Sequence, residues 1–138
     1  MPYKIRESDD IEELELLHDV TFAGIARSKP DFTNGIWWIA YDDDAPVAFA
    51  GLEPGTLIPN SLYFSRVGVI ECARGNGLQL RLMRTFEAWA RKHYRELIVS
   101  DTTDNVPSAN NFIRAGYQLF EPSVRWAFQT SLYWRKNL

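Results

Sequence analysis

The stretch LYFSRVGVIECARGNGLQ, residues 62–79, decides the fold of this chain. Its apolar, β-branched first half predicts a strand over residues 62–70, and RGNG at 74–77 predicts a tight turn. An amphipathic helix is predicted from Leu78 to about His93, followed by a strand, LIVS, at residues 97–100. Because glycines lack a Cβ, this turn can bring backbone N–H groups close to a ligand at the helix N-terminus, where phosphate is commonly bound.

Three phosphate-binding loops can be compared with this turn. A P-loop requires Lys and then Ser or Thr after its last glycine, whereas Gly77 is followed by Leu78 and Gln79. The dinucleotide-binding fingerprint requires a third glycine at the position of Leu80. The third pattern, Arg/Gln-x-x-Gly-x-Gly/Ala after a Val-rich strand, begins at Arg74 and departs from this chain only at Gln79.

The third pattern is motif A of the GNAT superfamily of acyl-CoA-dependent N-acyltransferases, which residues 67–79 resemble. The family strand commonly reads Leu-x-Val-x-Pro-x-x-Arg, and this chain has VGVIECAR at 67–74. Downstream, the family has Asn, then Tyr seven residues later, then Gly-Phe. Here Asn105 is followed by Phe112 and then by GY at residues 116–117, at the same offsets. The two motifs together indicate the family.

The resemblance covers residues 61–120 and implies the GNAT fold for a single domain over residues 1–138. This is an α/β (α+β) fold with a mixed, mostly antiparallel sheet of about six to seven strands, splayed between the fourth and fifth, and about four helices. Residues 131–136 (SLYWRK) also resemble small acetyltransferases of phage and prophage genomes. The other predicted elements are strands at 2–6, 35–41, 47–52, 117–120 and 131–135, a helix capped by Ser8 or Asp9 that runs to about Arg27, and a helix at 106–115.

Composition narrows the class of function. A length of 138 residues predicts one domain, and a net charge of −3 argues against a nucleic-acid partner. The lone cysteine, Cys72, excludes an internal disulfide and favours a reducing, cytoplasmic location. No apolar run approaches ~20 residues, so no membrane span is expected. The acidic run at 42–44 is interpreted as a hairpin tip and not as a metal site, because adjacent carboxylates rarely converge on one ion.

The resemblance implies that acetyl-CoA is the co-substrate, without a metal. The loop and first helical turn would hold its pyrophosphate, the fourth strand would offer its open edge to the pantetheine amides, and Asn105 would hydrogen-bond the same arm. Gln79 occupies the last position of the loop, where the family has a small residue, and its larger side chain would weaken the binding of CoA unless it points away. The candidate cofactor-binding residues are Val67, Gly68, Val69, Arg74, Gly75, Asn76, Gly77, Leu78, Gln79, Asn105 and Phe112.

In this family an amine attacks the thioester directly in a ternary complex. The Val69 amide would act as the oxyanion donor. The family's usual proton donor is a Tyr at the position of Phe112, which has no proton to give. Tyr117, Tyr63, a serine or water would replace it, or the step is unassisted; Tyr117 is the first candidate.

The base is a separate question, since no carboxylate lies between Leu62 and Ile70. Glu53 is the first candidate, Glu71 the second and Asp101 the third, each acting directly or through water.

The acceptor is predicted to be a primary amine of a small molecule or a protein. Six side chains are weak candidates for its site: Phe22, Arg27, Phe32, Trp37, Trp126 and Phe128. His18 is interpreted as a packed or surface histidine. Two alternatives stay open, a catalytically inactive GNAT-fold protein that binds CoA or a protein partner, and a phage-type enzyme that modifies nucleic acid. The edge of the last strand is compatible with a homodimer.

The predicted helix after the loop has two faces. Its apolar face carries Leu82, Met83, Phe86, Trp89 and Ala90. Arg84, Glu87 and Arg91 are predicted to lie on the opposite, polar face.

Overall fold

The structure, a computed structural model, describes residues 3–25 and 28–138. Its strands are β1 (Tyr3–Ser8), β2 (Ile36–Asp42), β3 (Ala45–Pro54), β4 (Leu62–Val69), β5 (Leu97–Thr102), β6 (Gln118–Phe120) and β7 (Leu132–Asn137). The helices are α1 (Ile11–Thr21), α2 (Leu78–Lys92) and α3 (Val106–Arg114), with a 3-10 turn at Glu71–Ala73. The strands form one sheet in the order β1-β2-β3-β4-β5-β7-β6, antiparallel except for β4 and β5. The predicted fold class is therefore confirmed, with three α-helices in the described chain where about four were expected.

The sheet has an apolar layer on each face. Strand residues point alternately to opposite faces, so adjacent tryptophans on β2 enter different layers. Trp38 packs with Phe86 of α2, at a ring distance of 6.2 Å, in the larger layer covered by α2 and α3. Trp37 packs with Phe32 and Phe49 in the smaller layer under α1. The predicted helix α2 is confirmed, and each fully buried Leu, Met or Phe side chain on its apolar face contributes about 1.5–3 kcal/mol through burial.

Helix α1 begins and ends at different residues from those predicted. Its N-cap is Asp10, whose side chain accepts a hydrogen bond from the Glu13 N–H at 3.1 Å. The predicted caps were wrong because Ser8 still belongs to β1, and the Ser8 hydroxyl accepts from the Asp10 N–H. The helix ends at Thr21 and not near Arg27, which lies outside the described residues.

The prediction that Glu87 lies on the polar face of α2 was wrong. Its side chain is only 3% exposed, and Lys136 Nζ lies 2.7 Å from Oε1. The reason is tertiary, since β7 inserts between β5 and β6 and places a lysine beside the helix. A buried carboxylate is tolerated where a cation compensates its charge. The helical periodicity of the sequence alone therefore cannot predict the contact between Glu87 and Lys136.

Strands β4 and β5 separate soon after they begin. They pair only at Leu62–Ile98 and Tyr63–Val99. On the other side of β4, the register with β3 shifts between Gly51 and Leu52, which leaves Ser65 as an extra, bulged residue. The predicted splay is confirmed, and it opens a cleft in the middle of the sheet.

None of the helices within the described ranges is long and apolar enough to cross a membrane.

Candidate functional site

The splay turns one backbone edge of β4 toward the cleft. Ile70 donates its N–H to the Val47 carbonyl at 2.9 Å. In an antiparallel ladder, successive residues alternate between facing their partner strand and facing away from it. Val67 and Val69 are therefore the residues whose N–H and C=O groups face away from β3. Because β5 pairs with β4 only at Leu62 and Tyr63, these groups face the cleft.

The glycine-bearing loop follows this edge. Gly75 and Gly77 have φ angles of +81° and +71°, a backbone region that glycine adopts far more readily than other residues. The Asn76 amide donates to the Ala73 carbonyl at 2.9 Å, and Arg74 Nε donates to the Val69 carbonyl at 3.2 Å. Helix α2 starts directly after the loop, so its first N–H groups have no partner within the helix and form the positive end of the dipole. The loop therefore joins the open strand edge to an anion-binding helix terminus.

A groove of about 650 Å³ occupies the cleft. Residues from β4, β5 and the start of α3 line it on the α3 side of the sheet: Phe64, Val67, Ser100, Thr102, Asn105, Ser108 and Phe112. On the α1 side it is lined by Phe22, Ile25, Ser28, Lys29, Pro30, Glu53, Tyr63, Arg66, Asp101 and Phe128. The first set includes residues that were predicted to bind the pantetheine arm, and the second includes residues that were predicted to bind the acceptor. The two meet where the strands part.

A cluster of polar side chains lies at this meeting point. Tyr63 donates its hydroxyl to Asp101 Oδ2 at 2.5 Å, and Trp126 Nε1 donates to the same oxygen at 2.9 Å. Glu53 pairs with Tyr63 across β3 and β4, so the two side chains share a face of the sheet. Glu53 Oε1 accepts from the Asn34 amide at 3.3 Å. Two of the three candidate bases thus lie in the groove.

The third candidate base, Glu71, lies elsewhere. It begins the exposed 3-10 turn after β4 and does not line the groove.

Asn105 and Phe112 both line the groove. Asn105 caps α3 by accepting the Ser108 N–H on Oδ1 at 3.1 Å, an arrangement that directs its amide oxygen to the helix. Phe112 is only 1% exposed, and its ring stacks on Trp134 at 5.5 Å. Its buried ring forms an apolar wall with no proton donor.

The structure does not bring Tyr117 to the groove. Its side chain is 5% exposed, and its ring packs edge-on against Phe112 at 4.9 Å. The hydroxyl is buried on the side of Glu87 and does not line the groove. Burial, followed by the nearby Glu87 carboxylate, raises the pKa of Tyr117 far above its usual range. Tyr63, the other candidate tyrosine, is the one in the groove.

The side chain of Gln79 points toward α3. Its Nε2 donates to Ser108 Oγ at 3.0 Å, which links the first turn of α2 to the first turn of α3. Gln79 is half-buried and Ser108 is buried and lines the groove. The link therefore crosses from the loop that would bind phosphate to the α3 side of the groove.

Arg66 is a groove residue that sequence reasoning did not select. Its Nη1 lies 2.7 Å from His18 Nε2 and 3.2 Å from the Ser28 carbonyl. His18 is 3% exposed and stacks on Phe22 at 4.5 Å, so its interpretation as a packed residue is confirmed. The signal for Arg66 was a break in the apolar alternation of β4, since the bulge at Ser65 turns the next side chain to the α1 face.

The aromatic candidates for the acceptor site separate into two groups. Phe22 and Phe128 line the groove, and Trp126 binds Asp101 beside it. Phe32 and Trp37, at 4% and 2% exposure, belong to the core under α1, so the structure does not support their selection. Arg27 lies outside the described residues.

Across residues 3–25 and 28–138, no three His, Cys, Asp or Glu side chains lie close enough to hold a metal ion.

The fold and this groove define the class: a seven-stranded α+β domain whose parallel strand pair splays beside a glycine loop at a helix N-terminus. Residues 4–117 match the family model described as Acetyltransferase (GNAT) family. The chain belongs to the GNAT acetyltransferase family, whose members generally catalyse acetyl-CoA-dependent N-acetylation. A comparison with curated protein sequences found no match.

Solved structures share the fold. A GNAT-family acetyltransferase from Staphylococcus aureus superposes with a TM-score of 0.77 at 18% identity, covering 99% of both chains. Ribosomal-protein-alanine N-acetyltransferase from Brucella melitensis gives 0.75 at 18% identity, covering 98% of this chain and 99% of the other. PaiA N-acetyltransferase from Thermoplasma acidophilum, solved in complex with coenzyme A, gives 0.75 at 15% identity over 100% of each chain.

Proposed function

We propose that this protein transfers an acetyl group from acetyl-CoA to a primary amine of a small molecule or protein. The observation that carries the proposal is the backbone edge at Val67 and Val69, which faces the cleft and leads directly into the glycine loop. The edge suits the amides of a pantetheine arm, and the loop with the α2 N-terminus suits a pyrophosphate. A relative with the same fold, PaiA N-acetyltransferase, was solved with coenzyme A.

When bound, acetyl-CoA would supply an activated acetyl thioester. The N–H of Val67, the cleft-facing amide nearer to Tyr63, would donate to its carbonyl oxygen, where negative charge develops, in place of the Val69 N–H expected from the sequence. Arg74 would add positive charge at the pyrophosphate, next to the loop. Asn105 would use its amide N–H₂ for the pantetheine, because its oxygen caps α3. This division of roles follows the two sides of the groove.

The acceptor amine would enter on the α1 side as an ammonium, between Glu53 and Asp101. Glu53 takes one proton, directly or through water, and the amine nitrogen then bonds to the acetyl carbon. The C–S bond breaks, and Tyr63, rather than Tyr117, gives a proton to the sulfur through a water molecule and regains one from the amine by the same route. The net reaction forms one C–N bond, breaks one C–S bond and releases CoA thiol and one proton.

Thermal unfolding with acetyl-CoA tests the first half of this proposal. At about a hundred times the dissociation constant, a ligand that binds only the native state adds about 2.7 kcal/mol, on the order of 5–10 °C for this size. Arg74→Glu should abolish the shift, while Arg84→Glu, the same change at an exposed position of α2, should keep it. Release of CoA thiol with an amine panel then tests transfer. Absence of any shift with every acyl-CoA tested would refute the proposal.

Two observations favour a second function, a GNAT-fold protein that binds CoA without catalysis. Phe112 offers no proton, and the Gln79–Ser108 hydrogen bond links the first turns of α2 and α3 beside the groove. For this function, stabilisation by CoA without thiol release is the expected result. A cytoplasmic location, a homodimer and a phage or prophage origin remain predictions of the sequence.

A further inference from the structure

A second cavity, of about 120 Å³, lies beside the groove. Tyr63 lines both cavities, so its side chain forms their common wall. The second cavity lies between the β3–β4 connection, which contributes Leu57 and Ile58, and the loop before β7, which contributes Trp126. Val99 of β5 completes the apolar part of the wall. This group of residues is called the side pocket below.

The wall between the two cavities is amphipathic. The Tyr63 hydroxyl and the Trp126 N–H both donate to Asp101 Oδ2, at 2.5 and 2.9 Å. The two rings meet edge to face at a centroid distance of 6.4 Å. Their polar atoms therefore point to the carboxylate that lines the groove, and their hydrocarbon surfaces line the side pocket. A ligand that spans both cavities meets negative charge at one end and hydrocarbon at the other.

We propose that the side pocket binds the hydrocarbon group of the acceptor, and that the acceptor is therefore a primary amine with a compact apolar substituent. This inference rests on the proposed acetyltransferase function. The ammonium would face Asp101 and Glu53, and the substituent would pass Tyr63. A 120 Å³ cavity is slightly smaller than one of about 150 Å³ that holds the six carbons of benzene, which sets the substituent at about four to five carbon atoms.

Charge argues against a polyamine in the same place. None of the described residues that line the side pocket is charged, so a second ammonium would lose its hydration there without a counter-ion. An apolar substituent does not meet this cost. The leucine at the pocket rim, Leu57, is 55% exposed and is available to cover it.

The test compares three amines by kcat/KM in a thiol-release assay. Isoamylamine should exceed methylamine on the order of 100-fold, since each buried methylene adds about fourfold. Putrescine, of similar length but charged at its far end, should fall at least tenfold below isoamylamine. Equal rates for methylamine and isoamylamine, or a preference for putrescine, would overturn the inference while leaving the transferase function intact. If acetyl-CoA stabilises the protein but no amine in a broad panel is acetylated, the proposed transferase function and this inference both fail.

Two variants locate the effect. Ile58→Phe narrows the side pocket and should lower kcat/KM for isoamylamine about tenfold, with methylamine changed less than twofold. Ile58→Ala enlarges it and should shift the preference toward benzylamine. Ile113→Phe, the same Ile-to-Phe substitution at an exposed position of α3, should not alter the ratio of kcat/KM for isoamylamine to that for methylamine or for benzylamine. Acetyl-CoA-induced stabilisation shows that each variant is folded. An unchanged amine preference in both folded Ile58 variants would contradict the assignment.

Discussion

Replacing Gln79 by Ala should tighten the binding of CoA. In the structure Gln79 Nε2 donates to Ser108 Oγ at 3.0 Å, across the path from the glycine loop to the groove. We predict that a bound pantetheine passes here and breaks this bond. A neutral side-chain hydrogen bond contributes about 0.5–1.5 kcal/mol. Removing it beforehand should therefore improve the dissociation constant about two- to twelve-fold, since 1.4 kcal/mol is tenfold.

Titration calorimetry with CoA measures the affinity, and urea unfolding measures the free energy of unfolding without ligand. The variant should lose about 0.5–1.5 kcal/mol of the latter while it binds CoA more tightly. Ser108→Ala should do the same, and the double variant should add little, because both changes remove one bond. Gln118→Ala, at an exposed position of β6, is the matched control. Loss of stability with unchanged or weaker CoA binding would refute the reasoning, because the bond would then persist in the complex.

Other residues give three further predictions. Tyr63→Phe should lower kcat by about 10²-fold with little change in KM for acetyl-CoA, because the hydroxyl is proposed to transfer a proton and not to bind the cofactor; an unchanged kcat would remove Tyr63 from the mechanism. Asn105→Ala should cost about 1 kcal/mol of unfolding free energy through the lost N-cap and also raise KM for acetyl-CoA, whereas Asn105→Asp should raise KM but keep the cap; equal stability losses in both would contradict this separation. Burial and the hydrogen bond to Glu13 raise the pKa of Tyr41 from 10.0 to about 12. The unfolded state therefore ionises first, and the contribution of Tyr41 to stability, complete below pH 10, should be lost as the pH rises to about 12. In Tyr41→Phe the fall in stability over this interval should be smaller, which chemical unfolding at each pH would measure.

The parts of the site that depend on local sequence were predictable. A turn with φ > 0 at two positions needs residues such as Gly75 and Gly77, and a helix that follows it directly must start with unpaired N–H groups. Asn105 likewise caps the helix that follows it. These features are determined within a few residues of one another. For this reason the loop, the helix and their order could be derived from the chain alone.

The contacts that define the chemistry of the groove were not predictable in this way. Tyr63 and Asp101 are 38 positions apart in the chain and meet only because β4 and β5 are parallel neighbours at their first residues. Glu87 is buried because Lys136 reaches it from β7. Trp37 enters the core under α1 because adjacent residues of β2 point to opposite faces of the sheet, and Trp38 enters the core under α2. Composition identified aromatic residues as candidates, but only the strand register shows which ones face the groove.

The bulge at Ser65 determines to which face of the sheet each later side chain of β4 points. The spacing of apolar residues in the sequence indicates this bulge. Leu62 and Phe64 enter the core under α2, and two-residue alternation would next send Arg66 into the same core. One extra residue reverses the alternation, so that Val67 packs against that core while Arg66 joins Tyr63 on the α1 face. The pattern L-x-F-x-x-V-x-V therefore predicts a bulge, because only a shift of one residue keeps all four apolar side chains on the buried face. The shift lies directly after the two residues at which β4 pairs with β5, and the open backbone edge at Val67 and Val69 lies beyond it. One inserted residue thus determines that Val67 and Val69 pack against the core, while their backbone groups form the edge proposed to bind the cofactor.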